Sequence, residues 1–230
     1  LCIFFALVVC GWQGLLYALF ACLYVVLRRR GYAVVPVAAI SLVLAEWVFP
    51  MLFEAYYANM LHEFPVPIQI VDLGGPLLLS ALLVATSAAV MVLLRGYLSK
   101  VQVDRRAVLA VAAFWLFDLG YGYYRVAEVD ARAAQAPKLE VGLVQTNMGI
   151  FAKREDPIEG LRRHIEQSLE LEKKHPDLGL LVWPESAYGR FIPEVVRNVR
   201  SRVMGQVSTP TLFGGLASRI EDGEWARYNT

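Results

Sequence analysis

Residues 77–94 read LLLSALLVATSAAVMVLL, an apolar stretch without a charged side chain. A helix needs roughly 20 such residues to cross about 30 Å of hydrocarbon, so this stretch predicts a transmembrane helix. Three further apolar stretches have a comparable length, although Asp118 interrupts the last of them: residues 3–27, 33–53 and 107–124. The sequence therefore predicts four transmembrane helices within residues 1–125.

The charge distribution divides the chain into an apolar part and a polar part. Of the 230 residues, 57% are apolar and 19% are charged, which excludes a disordered chain. Residues 1–125 contain 8 Lys and Arg and 6 Asp and Glu, whereas residues 126–230 contain 14 and 15. We therefore expect a membrane region, a linker at 126–137 and a water-soluble domain from residue 138. The net charge of +1 gives no reason to expect a nucleic-acid partner.

The basic residues predict the orientation of these helices. Arg28, Arg29 and Arg30 follow the first stretch, no Lys or Arg occurs at 31–94, and four basic residues then lie at 95–106. Because cytoplasmic connections are enriched in Lys and Arg, the first and third helices are expected to run inward. The water-soluble half is then expected on the extracytoplasmic side.

The predicted outer loop is rich in aromatic residues and proline. It reads EAYYANMLHEFPVPIQIVDLGG over residues 54–75. Two interpretations are open: an interfacial aromatic belt, or a re-entrant or amphipathic segment that shapes an entrance for lipid. Glu46 and Asp118 are expected near helix ends, where lipid headgroups satisfy them. Because intramembrane acids often carry function, a proton-coupled transporter is also open.

The water-soluble half alternates predicted strands and helices. Strands are predicted at 139–145, 178–183 and 211–217. The second is apolar throughout, as a strand buried on both faces must be. With a helix in each gap, the β-α-β-α-β order predicts a sheet with parallel neighbours covered by helices.

The two predicted helices carry different start signals. The first is expected to begin at Asp156, with Pro157 in its first position and Glu159 three residues after the cap. The second is expected to open at Pro193 and to bury a run of valines: Val195, Val196, Val199 and Val203.

The strongest candidate for a functional residue follows the second strand, in the sequence Trp183-Pro184-Glu185-Ser186. Functional groups of open α/β sheets lie at the carboxyl ends of strands, and a proline does not continue a central strand. The chain is therefore expected to turn and to present Glu185 at the rim of the sheet. Flanked by Trp183 and Tyr188, this carboxylate is expected to be partly desolvated, which suits a general base. The alternative is an ordinary loop glutamate.

Several segments carry a family resemblance. LLVWPES, preceded by VGLVQTNM and followed by LFGGLASR and RYNT, resembles the nitrilase (carbon–nitrogen hydrolase) superfamily. In the membrane half, AEW at 45–47, FP at 49–50 and PIQIVDLGG at 67–75 are similar to the membrane region of the apolipoprotein N-acyltransferase family. The resemblance implies a multi-pass helical membrane region and an α/β nitrilase-like domain of the αββα sandwich type, of which this chain is expected to hold only the first part.

The resemblance also implies a reaction. Members of this family move a fatty acyl chain from a phospholipid to the α-amine of the diacylglyceryl-cysteine of an apolipoprotein, through a cysteine thioester formed by a Glu-Lys-Cys triad. Glu185 matches the general base of that triad, which a thiol needs to become nucleophilic near neutral pH. The resemblance implies no cofactor and no metal.

The other two members of the triad are expected outside this chain. In the family they follow the strand whose start matches Tyr228-Asn229-Thr230, so the chain alone is expected to be inactive. Lys153, Lys173 and Lys174 are expected to be solvated helix and loop residues. The cysteines all lie in the first apolar stretch and give no disulfide framework: Cys2, Cys10 and Cys22.

The family further implies a bacterial inner-membrane protein with a periplasmic catalytic domain, expected to be a monomer. Its partners would be the bilayer, a phospholipid donor and a diacylglyceryl-modified apolipoprotein. Five positions depart from the family pattern and bear on the preference for the acyl donor: Glu54, Ala55, Gly149, Ile150 and Arg154. Two alternatives are open, a membrane-tethered amidase of the nitrilase type and a non-enzymatic transporter or scaffold.

Overall fold

The computed structural model of the chain describes residues 2–100, 105–149, 151, 155–185, 187–221 and 224–229. The chain divides into two compact units, Leu1–Ala136 and Pro137–Thr230. The first unit is helical and apolar, and the second is a small α/β unit. The coarse class predicted from the sequence is therefore confirmed.

In the described part of the first unit the long helices are α1 (Cys2–Arg29), α2 (Val34–Val48), α3 (Val71–Ser99) and α4 (Arg106–Gln135). Among the described residues, three segments are long and apolar enough to cross a membrane: Ile3–Arg29, Pro67–Ser99 and Arg106–Gln135. They coincide with the first, third and fourth predicted spans.

The second predicted span, 33–53, is shorter in the structure. α2 has 15 residues, which is about 22 Å of helix and less than the hydrocarbon thickness of a bilayer. It ends because Phe49 adopts an extended backbone (φ −72°, ψ 126°) before Pro50, and a proline disfavours helical geometry in the residue before it. The apolar composition continues to Phe53, which is why the pattern overestimated the helix.

α3 is interrupted near its start. Gly74 (φ −140°, ψ 17°) and Gly75 (φ 67°, ψ −177°) leave helical geometry immediately before Pro76. Only glycine adopts the conformation of Gly75 without strain. The long straight part of α3 therefore begins after this break and contains the predicted span 77–94.

α4 continues through most of the predicted linker at 126–137. No glycine or proline occurs there before Pro137. The carboxylate of Glu128 also forms ion pairs with Arg125 at 2.8 Å and with Arg132 at 3.5 Å, three and four residues away along the helix. The helix ends at Gln135 because Ala136 is extended before Pro137. The predicted linker is therefore wrong for residues 126–135.

Helices α2 and α3 pack through small side chains. Val35 and Ala38 of α2 are buried against Ala85, Ala88 and Ala89 of α3. Small side chains let two helix backbones approach closely, and such packing holds helices together in lipid, where the hydrophobic effect does not.

The second unit contains, in chain order, β1 (Val141–Leu143), α5 (Pro157–Lys174), β2 (Leu180–Val182), β3 (Tyr188–Pro193), β4 (Thr211–Leu212), β5 (Gly215–Glu221) and β6 (Glu224–Asn229). β1, β2 and β4 form one sheet, with β2 in the centre and both pairings parallel. The prediction of parallel neighbours is confirmed, although each strand is shorter than predicted.

Helix α5 begins where the sequence predicted. One carboxylate oxygen of Asp156 accepts hydrogen bonds from the backbone N–H groups of Ile158 (3.1 Å) and Glu159 (2.9 Å). This cap satisfies two N–H groups that have no partner within the helix. The apolar side of α5 packs against a buried cluster that includes Leu181 of β2, through Leu161, Ile165, Leu169 and Leu171.

The second predicted helix is wrong. Pro193 ends β3 instead of opening a helix, Val195 is 87% exposed, and a π-helical turn at Arg200–Met204 is the helical structure that remains. Valine loses side-chain freedom in a helix, so a valine-rich run has a weak helical preference. Val203 is nevertheless buried, as predicted.

The third predicted strand, 211–217, is divided between two sheets. β4 belongs to the parallel sheet, whereas β5 pairs with β3 in parallel and with β6 in antiparallel orientation. The chain crosses from one sheet to the other at Phe213 and Gly214. An uninterrupted β-pattern in the sequence does not reveal such a crossing.

Candidate functional site

The candidate site lies where β2 leaves the parallel sheet. Trp183 donates its backbone N–H to the carbonyl of Leu212 at 2.9 Å, and Ala187 donates to the carbonyl of Pro184 at 3.1 Å. The second bond closes a tight turn around Glu185, and the chain then enters β3 at Tyr188. The predicted turn at the carboxyl end of β2 is therefore present, with Glu185 on it.

The surroundings of Glu185 differ from the expectation. Its side chain is exposed, whereas Trp183 is 3% exposed and lies in the core. Trp183 follows Leu181 at the two-residue period of a strand, so both side chains point to the side covered by α5. The expected desolvation of Glu185 between Trp183 and Tyr188 is wrong, because Trp183 packs beneath the turn and does not flank the carboxylate.

Trp183 holds the base of the turn in place. Its Nε1 donates to Ser168 Oγ at 2.9 Å, and Ser168 Oγ donates to the carbonyl of His164 at 2.7 Å. The indole ring also contacts the rings of His164 and Phe213, with centroids 5.1 and 6.0 Å away. Because its indole is buried and its N–H is hydrogen-bonded, Trp183 is fixed in one position directly before the turn.

Gly214 lies directly against the turn. A Cβ atom on Gly214 would be 2.3 Å from the carbonyl oxygen of Glu185 and 2.7 Å from its Cα. The turn at Glu185 connects β2 of one sheet to β3 of the other, so it is also a crossing between the sheets. It runs beside the crossing at Phe213–Gly214. The glycine pair belongs to the segment LFGGLASR, and its closeness to Glu185 was not predicted. Two adjacent glycines inside the predicted strand 211–217 were the available signal, since a glycine within a strand often marks a close approach of another backbone.

The loop after β1 opens at the same edge of the parallel sheet, because β1 and β2 run in the same direction. Val144 donates its N–H to the carbonyl of Val182 at 3.0 Å, and Thr146 is buried. Asn147 adopts a left-handed conformation (φ 50°), which asparagine tolerates better than most residues. Of the departures from the family pattern here, Gly149 is exposed, whereas Ile150 and Arg154 lie outside the described residues.

Of the lysines and cysteines considered in the sequence, those that the structure describes lie on other elements than the Glu185 turn. Lys174 pairs with Glu170 on α5 at 2.6 Å, and Lys173 is exposed in the last turn of the same helix. Lys153 lies outside the described residues. Cys10 and Cys22 are exposed on α1 in the first unit. Within the described residues, no cluster of three His, Cys, Asp or Glu side chains could hold a metal ion.

In the first unit, the predicted outer loop folds back onto the helices. Short 3₁₀ segments lie at Tyr57–Leu61 and Pro67–Ile70. Ala58 and Ile70 are buried against Leu79 of α3. The backbone N–H of Tyr57 donates to Glu46 Oε1 at 2.6 Å, and that of Ala58 donates to Ser80 Oγ at 3.0 Å. These contacts favour the interpretation as a packed re-entrant segment. Glu54 and Ala55 are exposed before it.

Asp118 lies in the middle of α4 and is fully buried. The expectation that it sits near a helix end is wrong, because α4 continues to Gln135. Phe114, one helical turn before Asp118, packs against the buried cluster of Ala58, Ile70 and Leu79. Gly122, one turn after it, lies so close to the carbonyl of Val66 that a Cβ atom would not fit. Among the described residues, neither carboxylate oxygen of Asp118 has a hydrogen-bond partner.

An apolar cavity of about 840 Å³ lies between α2, α3 and α4. Its walls are alanine, valine, leucine, proline and phenylalanine side chains, among them Pro36, Ala85, Ala110 and Phe117. The wall chemistry suits a hydrocarbon chain and offers nothing to a polar ligand.

Comparison of the sequence with the profiles of known protein families and with curated proteins finds no match.

Proposed function

We propose that the chain forms the membrane region and part of the catalytic domain of an acyltransferase. It would move a fatty acyl chain from a phospholipid to the α-amine of the diacylglyceryl-cysteine of an apolipoprotein. The observation that carries the proposal is the Trp183-Pro184-Glu185 turn at the carboxyl end of the central parallel strand. It occurs in a chain that also has three helices of membrane-spanning length among its described residues. These helices and the apolar cavity favour a lipid substrate over a soluble amide.

Glu185 would act as the general base. It accepts the proton of a cysteine thiol, and the thiolate attacks the ester carbonyl of the phospholipid. A lysine ammonium stabilises the oxyanion. The leaving alkoxide takes the proton from Glu185, and lysophospholipid departs from the thioester. The α-amine of the second substrate then attacks the thioester, Glu185 takes the ammonium proton, and the thiolate leaves and is reprotonated.

The exposure of Glu185 suits this role in one respect. Its side chain is exposed to solvent, and the resemblance places the lysine and the cysteine after Tyr228. The turn itself is held from below by the buried Trp183. A base that is exposed but fixed at its backbone is what a triad assembled from separate segments requires.

The proposed site is extracytoplasmic, in a bacterial inner membrane. Reporter fusions after Arg30, His62, Lys100 and Pro137 test this and should report inside, outside, inside and outside. The fusion after His62 is decisive because α2 has only 15 residues. A cytoplasmic signal at both His62 and Pro137 would mean that α2 does not cross the membrane and would contradict the proposed topology.

Replacement of the base tests the reaction. Glu185→Gln, in the full-length protein with its cysteine and lysine, should slow thioester formation by about 10²–10⁴-fold, because the amide cannot accept the thiol proton. Thioester formation is measured by mass spectrometry in membranes with equal amounts of protein. Glu194→Gln is the matched control, since Glu194 is an exposed glutamate that pairs with Arg219 at 3.3 Å. A wild-type rate for Glu185→Gln would refute the assignment of the base.

One observation favours a second candidate function, proton-coupled transport. Asp118 is fully buried in a membrane-length helix without a hydrogen-bond partner among the described residues, and such residues often belong to proton relays. Proteoliposomes with a pH-sensitive dye inside distinguish the two functions. Proton uptake that Asp118→Asn abolishes and Glu185→Gln leaves unchanged would support transport.

A further inference from the structure

Two of the chain crossings between the sheets of the second unit lie side by side. The first runs from β2 through Trp183 and Glu185 to β3, and the second runs from β4 through Phe213 and Gly214 to β5. Gly214 contacts the backbone of Glu185 at a distance that leaves no space for a side chain.

Both crossings are fixed at each end. Before the contact, the N–H of Trp183 bonds to the carbonyl of Leu212 at 2.9 Å. After the contact, Tyr188 of β3 is in register with Gly215 of β5. Because these pairings lie within a few residues on either side of Gly214, neither crossing can slide along the other to make room.

Space alone explains the glycine at this position. The residues of the described chain with a left-handed backbone are others, such as Gly75 and Gly205, so Gly214 is not needed for an unusual φ angle. A methyl group there would be 2.3 Å from the carbonyl oxygen of Glu185 and 2.8 Å from its carbonyl carbon. Atoms at such distances must separate, and the exposed turn gives way more easily than two paired strands.

We propose that Gly214 is a positioning residue for Glu185: its missing side chain lets the two crossings touch, and this contact sets where the Glu185 carboxylate projects. The inference rests on the proposed function of Glu185. Catalytic geometry tolerates little displacement, and a shift of about 1 Å can lower a rate by about 10²-fold. A substitution at Gly214 thus acts on the reaction through Glu185 without removing a reacting group.

The test compares neighbouring glycines in the full-length protein. Gly214→Ala should slow thioester formation by about 10- to 100-fold, with little change in the KM for the phospholipid. Gly215→Ala should react at close to the wild-type rate, because its Cβ would meet only ordinary contacts of 3.5 Å or more. Thermal unfolding establishes that both variants are folded.

A double variant separates positioning from a general loss of structure. If Gly214 acts through Glu185, adding Gly214→Ala to Glu185→Gln should slow the reaction no further, whereas independent effects multiply. A multiplied loss, a wild-type rate for Gly214→Ala, or an unfolded Gly214→Ala beside a folded Gly215→Ala would each overturn the inference. A wild-type rate for Glu185→Gln would instead overturn the proposed function itself.

Discussion

Two carboxylates, one in each unit, are held in opposite ways. Glu172 on α5 is half-buried, and its Oε1 accepts three hydrogen bonds from the loop before β4. The donors are the backbone N–H (2.8 Å) and hydroxyl (2.9 Å) of Ser208 and the N–H of Thr209 (2.6 Å). Asp118 on α4 is completely buried, and its two oxygens accept no hydrogen bond from any described residue.

The difference shows how each unit is stabilised. In the second unit the Glu172 carboxylate fastens the loop before β4 with three hydrogen bonds, so polar bonds carry part of the fold. In the first unit small apolar side chains bring the helices together, and Asp118 adds no bond to that packing. Removing the charge of Glu172 should therefore destabilise the second unit, whereas removing that of Asp118 should leave the first unit nearly unchanged.

The largest expected effect is at Glu172. Glu172→Ala leaves the donors of Ser208 and Thr209 without their acceptor, which should lower the unfolding free energy of the second unit by about 2–3 kcal/mol. Amide hydrogen exchange of β2 in the full chain measures this. Glu166→Ala, which removes an exposed partner of Arg162 on the same helix, should change it by less than about 0.5 kcal/mol. Equal losses in both variants would remove the contrast between the two units.

Acid should act on the same contact. Partial burial alone would raise the pKa of the Glu172 carboxyl, but the hydrogen bonds from Thr209 and Ser208 outweigh it and hold the pKa below its ordinary value. Hydrogen bonds from Arg162 and Arg163 lower the pKa of Glu159 to about 2. A lowered folded-state pKa gives stability that is present above the unfolded-state pKa of about 4.3 and is lost as pH falls through the folded-state value.

The second unit should therefore lose stability between about pH 4 and pH 2. Hydrogen exchange of β2 across this range measures the loss. In Glu172→Gln the acid-dependent part should become smaller, because one of the titrating contacts is gone. An identical acid profile in the variant and the wild type would show that Glu172 does not contribute.

A smaller effect is expected at Asp118. Asp118→Asn keeps the shape and removes only the capacity for charge, so the unfolding free energy of the first unit should change by less than about 1 kcal/mol, with any change upward. Thermal unfolding in detergent measures this, with Asp130→Asn at an exposed site of α4 as the control. A loss of several degrees specific to Asp118→Asn would show that its carboxylate has a partner after all.

The smallest effect is expected at the exposed ion pair of the first unit. Asp72 at the start of α3 pairs with Arg125 of α4 at 2.6 Å, with the side chains 45% and 26% exposed. Asp72→Asn should lower the unfolding free energy by about 0.5 kcal/mol or less, and by less still at high salt. A large, salt-sensitive loss would show that an ion pair stabilises the first unit as strongly as Glu172 stabilises the second and would weaken the comparison.

Sequence reasoning succeeded where one local signal decided the outcome. The start of α5 followed from Asp156 and Pro157, because capping is a contact between neighbours in the chain. The turn at Glu185 followed from Pro184, since a proline cannot continue a central strand. The long apolar helices followed from composition, although a proline shortened α2 and the ion pairs of Glu128 lengthened α4.

Prediction from the sequence failed where contacts between residues far apart in the chain determine the structure. The run from Pro193 to Val203 was predicted as a helix, yet Tyr188–Pro193 pairs with β5, and pairing with a strand more than 20 residues away is invisible in a local pattern. The position of Trp183 beneath Glu185 depends on Ser168 and His164 of α5. The closeness of Gly214 to Glu185 likewise appears only once both crossings exist.

The early end of α2 has a consequence for the surrounding membrane. A helix of 15 residues is about 22 Å long, some 8 Å short of an average hydrocarbon core, so the two are mismatched. A bilayer adjusts to a short span by becoming thinner around it. In the proposed topology, in which α2 crosses the membrane, lipid headgroups of the outer leaflet should therefore sink toward the level of Trp47 and the folded-back loop. At that place a phospholipid travels a shorter distance out of the bilayer than elsewhere around the protein.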